Sequence, residues 1–408
     1  MAYHETKEGP VTQVRLRHSI ELPAYRKVEY HRQHPAEGPS MVLLSGGSGA
    51  RALSETLIQY THRSVHVLPT FDDGGSSREL RQKLGMPPPG DLRNRLMALS
   101  DMSMRGNPAV SRLFRTRLPA EGTAEALRQE LDSFLDERHP QMKRIEPRYR
   151  RIILKHLERF VGQMPGDFDL RGGNLGNFVI AGAFLAVGDL ESVIFEFSAL
   201  AAVRGEVYPV CCGGDYHLLG ELDDGSTWVG QARLTGQPHA PIRRLAIVEQ
   251  GEEGWVEVHP ALNPHVERAL RSTSLVAYTM GSFYTSLVSN LIVGDLGRVI
   301  RETRRPKVFV ANLLRDEETP GMTVSGMLTE LHRYLCASDP SPGGMADYVH
   351  YVLVGTHGPS DAGGYVPVDL EAIAEMGVEP IVLPVEAQPM GQGMHEPGVV
   401  ASVLLSLC

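Results

Sequence analysis

The densest chemistry in this sequence is the string Asp72-Asp73-Gly74-Gly75-Ser76-Ser77. Adjacent carboxylates followed by glycines and hydroxyls can hold a hydrated Mg²⁺, or orient and deprotonate an acceptor hydroxyl while N–H groups face a phosphate. Asp72 and Asp73 are therefore candidate catalytic and metal-ligating residues, and Gly74, Gly75 and Ser76 candidate phosphate contacts. A polar turn whose serines cap a helix would use the same residues, so the string alone does not decide between the two.

A second string, Gly46-Gly47-Ser48-Gly49, follows the apolar run Met41 to Leu44 and precedes a helical pattern of Ala50, Leu53, Leu57 and Tyr60. A glycine turn between strand and helix brings backbone N–H groups toward an anion, which makes Gly46, Gly47, Ser48 and Gly49 candidates for a diphosphate. Gly47, Gly49 and Ala52 also satisfy G-x-G-x-x-A, and Asp72 lies 20 residues beyond Ala52, where a dinucleotide fold holds a ribose. An NAD-dependent oxidoreductase is thus a competing reading. The absence of G-x-x-x-x-G-K-[ST] argues against a P-loop ATPase.

Further candidates follow along the chain. In Pro87-Pro88-Pro89-Gly90-Asp91-Leu92-Arg93-Asn94 the prolines stop one element and Asp91 can cap the next helix. Arg93 and Asn94 would lie in its first turn, where an arginine is electrostatically unfavourable unless an anion is bound. Asn177, in Gly172-Gly173-Asn174-Leu175-Gly176-Asn177, opens an apolar helix. Ser282, Tyr284 and Thr285 follow the apolar run Leu275 to Met280, and Asn312 ends the run that starts at Lys307; all four offer hydroxyls or amides to a phosphate or sugar.

These residues need a scaffold that gathers them. Apolar runs at 41–44, 65–71, 275–280, 307–313, 348–354 and 380–385 alternate with helical stretches, which predicts an α/β fold with a doubly wound, Rossmann-like parallel sheet. Two regions interrupt the alternation. Leu127, Leu131 and Phe134, then Ile153, Leu157 and Phe160, repeat at helical spacing and predict a helical insertion over about 107–169. Its Lys143, Arg144, Arg148, Arg150 and Arg151 read as a solvated helix face. Alternating segments around Asp223-Asp224-Gly225 predict a small antiparallel β flap over about 215–258. Residues 1–40 read as an arm before a main domain spanning 41–408, and His4, His18, His31 and His34 lack ligand spacing.

Composition narrows the function classes. The 408 residues are 42% hydrophobic and 22% charged, as in an ordinary folded protein. With 40 basic against 49 acidic side chains, the net charge of −9 speaks against nucleic acid as a partner. The apolar stretch Phe178 to Gly188 is too short to cross a membrane, and no apolar signal core opens the sequence. Cys211, Cys212, Cys336 and Cys408 form no C-x-x-C pair, so the expectation is a reducing cytoplasm without a disulfide framework or structural zinc.

Taken together, GGSGA (46–50), DDGGSSRELR (72–81), PPGDLRNRLMALS (88–100), LGNFVIAG (175–182), GSFYTSLVSNLIVGDLG (281–297) and KVFVANL (307–313) resemble, in order, the CofD/YvcK superfamily. That superfamily groups 2-phospho-L-lactate transferases with YvcK-type gluconeogenesis factors that bind UDP-sugars. The resemblance implies that Gly46 to Gly49 cradle a diphosphate, that Asp72 and Asp73 face the sugar or acceptor with Mg²⁺ in support, and that Asn177, Ser282 and Tyr284 line the ligand. Ala277-Tyr278-Thr279-Met280 departs from the family's usual aspartate-bearing approach to the GS-x-YTS loop. The expected function is binding of a nucleoside-diphosphate-linked metabolite and transfer of its phosphate-bearing group to an acceptor hydroxyl. A non-catalytic UDP-sugar-binding regulator is the alternative. A homo-oligomer and, for a regulator, a protein partner are compatible with either.

Overall fold

The structure is a computed structural model that describes residues 19–236, 240–357, 364–387 and 393–408. His4 and His18, and with them much of the expected arm, lie outside the described residues. Seven strands form one parallel sheet: β1 (Met41–Leu44), β2 (Ser64–Leu68), β3 (Glu206–Pro209), β8 (Leu275–Tyr278), β9 (Lys307–Val310), β10 (Tyr351–Val354) and β11 (Glu379–Val382). Four more, β4 (His217–Leu222), β5 (Thr227–Val229), β6 (Ile242–Gly251) and β7 (Gly254–Glu257), pair antiparallel in the order β5-β4-β6-β7. The fold class expected from the sequence is the one observed.

The parallel sheet runs β11-β10-β9-β8-β1-β2-β3. Strands are added outward in both directions from β1 and β8, which are paired in register with Leu44 opposite Tyr278. The strand order reverses at this pair, so the carboxyl ends of β1 and β8 flank the crevice where open α/β sheets bind ligands.

Strand alternation explains why the four residues Met41-Val42-Leu43-Leu44 are all apolar. Side chains two apart share a face; Val42 and Leu44 pack into the core on one side of the sheet, Met41 and Leu43 into the core on the other. Covered on both faces, a parallel strand needs no polar position. Tyr278 follows the same rule: it is fully buried, and its hydroxyl donates to the carbonyl of Tyr348 at 2.9 Å.

Two of the strands depart from the sequence reading. The run at 65–71 stops being a strand at Leu68 because Pro69 cannot continue the ladder. Strand β3, absent from the sequence reading, is a four-residue edge strand with one exposed and one half-buried side chain, too short to show a period.

Between β2 and β3 the chain builds a helical layer with its own core. Helices Ala124–Ser133 and Pro147–Gln163 bury Leu127, Leu131, Ile153, Leu157 and Phe160. The Phe160 ring stacks on Phe178 of the helix Leu175–Val187 at 4.5 Å. At the other side, the helix Tyr25–Gln33 buries Val28 and docks on the helix Pro397–Leu407, where Ser406 Oγ accepts from the N–H of Ala24 at 2.8 Å. Among the described residues no helix is long and apolar enough to cross a membrane.

Candidate functional site

The glycine loop leaves β1 and is gripped by the helix Gly90–Ala98. Asp91 and Arg95 are one turn apart, so they project from the same side of that helix. Arg95 is fully buried and donates to Gly46 O at 2.6 Å, Ser45 Oγ at 3.0 Å and Ala50 O at 3.1 Å, and also to Ser54 Oγ. Asp91 accepts the N–H of Gly47. Glycine is required here by proximity: a methyl group on Gly47 would stand 1.9 Å from Asp91 Oδ1, and one on Gly49 would stand 2.5 Å from Gly281 Cα. The Gly47 amide, expected to face a diphosphate, is therefore taken by Asp91. Ser48 and Gly49 are the exposed residues of the loop.

The carboxylate string follows β2, and its two aspartates part company. Side chains of adjacent residues in an extended segment project to opposite sides. Asp72 turns inward, accepting from Gly74 N–H at 3.0 Å and from the Ser77 hydroxyl, and faces Asp91. Asp73 turns to the flap, where its Oδ1 accepts from the N–H of Ala232 at 2.6 Å. Asp72 thus has a carboxylate on either side, Asp91 from the helix Gly90–Ala98 and Asp73 next in the chain. Burial pushes Asp72 and Asp91 up, with the charge of Asp73 adding to it at Asp72 and that of Asp72 at Asp91, which reaches about 7.

A buried polar chain runs beside this pair. Arg93 is 4% exposed, and its Nε donates to Asn177 Oδ1 at 3.0 Å. Asn177 Nδ2 in turn donates to Ser76 Oγ at 3.1 Å. Three candidates from three distant segments are brought together here. Asn174 caps the helix that carries Asn177 and accepts its N–H. Among the described residues, Asn177 is the one hydrogen-bond partner of the Arg93 side chain. Burial, then the guanidinium groups of Arg117 and Arg115, lowers the pKa of Arg93 to about 9, against the opposing pull of Asp91 and Asp72. Asn94, on the next position, is half-buried, and its side chain makes no hydrogen bond to a described residue. Gly75, at φ +47°, is exposed at the start of the helix Gly75–Leu84 and has no neighbour within 4 Å of an added methyl.

The loop after β8 is arranged differently from the expectation. The N–H groups of Tyr284 and Thr285 donate to Glu318 Oε2 at 2.8 and 2.9 Å, and that of Phe283 to Asp316 Oδ2 at 2.9 Å. The Thr285 hydroxyl also bonds Glu318, and the Tyr284 hydroxyl donates to Glu330 at 3.1 Å. Tyr284 and Thr285 are thus buried against protein carboxylates, leaving Ser282, half-buried, at the rim. Asn312 locks the same turn by donating to Gly281 O at 2.8 Å. Ser282, Asn312, Gly281 and Gly49 line a cavity of about 460 Å³ whose other walls include Met280, Leu313, Met394 and His395.

Sequence reasoning missed Arg95, Glu318, Arg115 and Arg117. Arg95 had a signal, an acid and a base at i and i+4 on one short helix. Glu318 had none, because it acts from a loop 33 positions beyond Thr285. For a divalent cation the fitting donors are Asp72 and Asp91, half-buried carboxylates whose charges repel. Among the described residues no three His, Cys, Asp or Glu side chains gather for a protein-only metal cage, so an ion there would keep water or ligand oxygens, as Mg²⁺ does.

Comparison with known proteins agrees with this architecture. The family described as 2-phospho-L-lactate transferase CofD matches residues 41–385. A putative gluconeogenesis factor from Nostoc is 29% identical over 318 residues, 78% of this chain and 56% of that protein. One from Deinococcus radiodurans is 27% identical over 76% of this chain and 54% of its own length, so the chain spans about half the length of these two relatives. The gluconeogenesis factor of Bacillus subtilis is 24% identical over 90% of this chain and 98% of its own. A crystal structure of a Bacillus halodurans protein has 23% identity, covers 90% of this chain and 100% of that one, and superimposes with a TM-score of 0.67. From the matched residues, which hold the glycine loop, the carboxylates and the buried arginines alike, the chain belongs to the CofD family.

Proposed function

We propose that this chain binds a nucleoside-diphosphate-linked metabolite in the crevice between β1 and β8 and transfers its phosphate-bearing group to an acceptor hydroxyl. The observation that carries the reading is Arg93, a guanidinium 4% exposed with one protein hydrogen bond, standing beside the Asp72–Asp91 pair. A buried cation without its own ion pair is costly unless a ligand anion completes it. Family membership supports the same class of chemistry.

In this reading the exposed Ser48 and Gly49 and the rim residue Ser282 receive the diphosphate, with Arg93 over its charge. The acceptor oxygen forms a bond to the distal phosphorus while the bridging P–O bond breaks. The electron pair leaves with the nucleoside monophosphate, and the hydroxyl proton passes to the carboxylate of Asp91, whose proton affinity suits neutral pH. Mg²⁺ on Asp72 and Asp91 would supply charge neutralisation at the diphosphate. The NAD alternative is weakened at its main residue, because Asp72 accepts from the Gly74 N–H and the Ser77 hydroxyl of its own loop rather than being left for a ribose.

Relatives named gluconeogenesis factor, together with the resemblance to UDP-sugar-binding proteins of that type, favour a second reading, a non-catalytic regulator that binds a UDP-sugar. Calorimetric titration with UDP, GDP and UDP-N-acetylglucosamine, with and without Mg²⁺, tests binding. Product analysis after incubation with a hydroxyl acceptor separates the two: tight binding without product supports the regulator, and no nucleotide binding rejects both.

A further inference from the structure

The flap carries a six-residue helix, Gln231–Gly236, that is fastened at both ends to the loops of the crevice. At its start, Asp73 Oδ1 accepts from Ala232 N–H at 2.6 Å. Oδ2 of the same carboxylate lies so close to Gly230 that a methyl group there would stand 2.3 Å away, and Gly230 has φ +107°, so this position is built for glycine. Near its end, Thr235 Oγ1 lies 3.2 Å from Glu318 Oε1 and 3.1 Å from Thr285 Oγ1. Between the fastenings Leu234 is buried against Gly220 of β4.

Asp73 belongs to the loop after β2, and Thr285 to the segment after β8. These strands are the two neighbours of β1 in the sheet. Two strand spacings are about 9.6 Å, and six helical residues span about 9 Å. The helix is therefore the right length to cross from one neighbour to the other above the carboxyl end of β1, where the glycine loop lies.

We propose that Asp73 is a positioning residue: it straps the helix Gln231–Gly236 across the glycine loop as a roof over the bound ligand, and it does so as a hydrogen-bond acceptor rather than through its charge. The assignment rests on the crevice being the ligand site. It departs from the expectation that Asp73 performs the chemistry, because one oxygen of its carboxylate is taken by the Ala232 N–H and the other lies against Gly230.

Acceptor and charge can be separated by substitution. Asparagine keeps an oxygen for the Ala232 N–H and loses the charge; alanine loses both. In the full chain without ligand, Asp73→Ala is expected to speed hydrogen exchange at residues 231–236 about tenfold, and Asp73→Asn to return it to within about threefold of the parent. Dissociation constants for UDP and GDP should follow the same order, weakened about tenfold by alanine and largely rescued by asparagine. Thr235→Val, which cuts the other fastening, should speed exchange in the same six residues. Two results overturn the proposal: flap exchange unchanged in Asp73→Ala, or asparagine restoring flap protection while nucleotide binding stays as weak as with alanine. If the parent binds neither nucleotide, the reading of the crevice falls, and the exchange arm still decides whether Asp73 holds the helix.

Discussion

Asp91 and Arg95, one turn apart on a single helix, grip opposite sides of one peptide unit of the glycine loop: Arg95 donates to the carbonyl of Gly46, and Asp91 accepts the N–H of Gly47. The loop is shaped from below by a charged pair rather than by its own glycines, which only let the pair come close. Arg95 is the more committed of the two. Burial depresses its proton affinity to about 10, and the same burial, with Arg95 beside it, holds His66 neutral.

Replacing Arg95 by methionine should therefore be severe. The change keeps much of the volume but leaves Gly46 O, Ala50 O and Ser45 Oγ without their donor, a loss on the order of 3 kcal/mol. Denaturant titration measures it. A loss below about 0.5 kcal/mol, the ordinary scatter of surface changes, would show that the loop holds its shape unaided.

Arg93→Met should behave in the opposite way. It removes a buried charge that has one hydrogen bond, so stability should stay within about 1 kcal/mol of the parent or rise. UDP and GDP affinity should fall at least about tenfold. Unchanged nucleotide affinity in a folded Arg93→Met protein would remove Arg93 from the site.

Asp91 sets a pH dependence. It keeps its proton up to about pH 7 in the folded chain and releases it near about pH 4 when unfolded. Between these limits the folded state binds more protons, so stability falls as pH rises. Asp91→Asn can still accept from Gly47 and removes the slope. Relative to the parent it should gain on the order of 1–2 kcal/mol between pH 5 and 8, below the full linkage value because Asp91 keeps some contact with solvent. Melting in chelator at the two pH values reads this out. Added Mg²⁺ at pH 8 should raise the parent's midpoint and leave the variant's in place.

The glycines of the loop should not accept a side chain. A methyl on Gly49 would stand 2.5 Å from Gly281 Cα, and one on Gly46 would stand 2.3 Å from Ser286 Oγ and 2.5 Å from its Cβ, which no side-chain rotation moves away. Gly49→Ala and Gly46→Ala should therefore each cost about 2 kcal/mol or more. Thermal midpoints of the two variants measure the losses, and midpoints unchanged from the parent would mean that the two loops move apart freely.

The scaffold was legible because β1, β2 and β8 are short apolar runs bounded by glycine and proline, signals that survive without tertiary information. The meeting of Ser76, Arg93 and Asn177 was legible as candidates but not as a connected chain, since nothing local says that residue 93 reaches residue 177. Asp73 shows what local sequence does not carry. Its neighbour in sequence is Asp72, but its partner in space is Ala232, 159 positions later, and only the flap's placement selects between them. Tyr284 and Thr285 make the same point: Glu318, from another loop, takes both amides and the Thr285 hydroxyl, and Glu330 takes the Tyr284 hydroxyl.

The pairing of β1 with β8 carries a consequence for how the molecule is made. Met41 lies beside Leu275, 234 positions later, so the middle of the sheet closes through the longest excursion of the chain between neighbouring strands. Contacts so distant in sequence form slowly, because the intervening segment must be confined first. During synthesis the helical layer between β2 and β3 can collapse on its own core long before β8 leaves the ribosome, while the apolar edge of β1 waits without its second neighbour. The crevice therefore exists only once β8 has paired, and until that moment the nascent chain presents an unpaired apolar strand that favours aggregation.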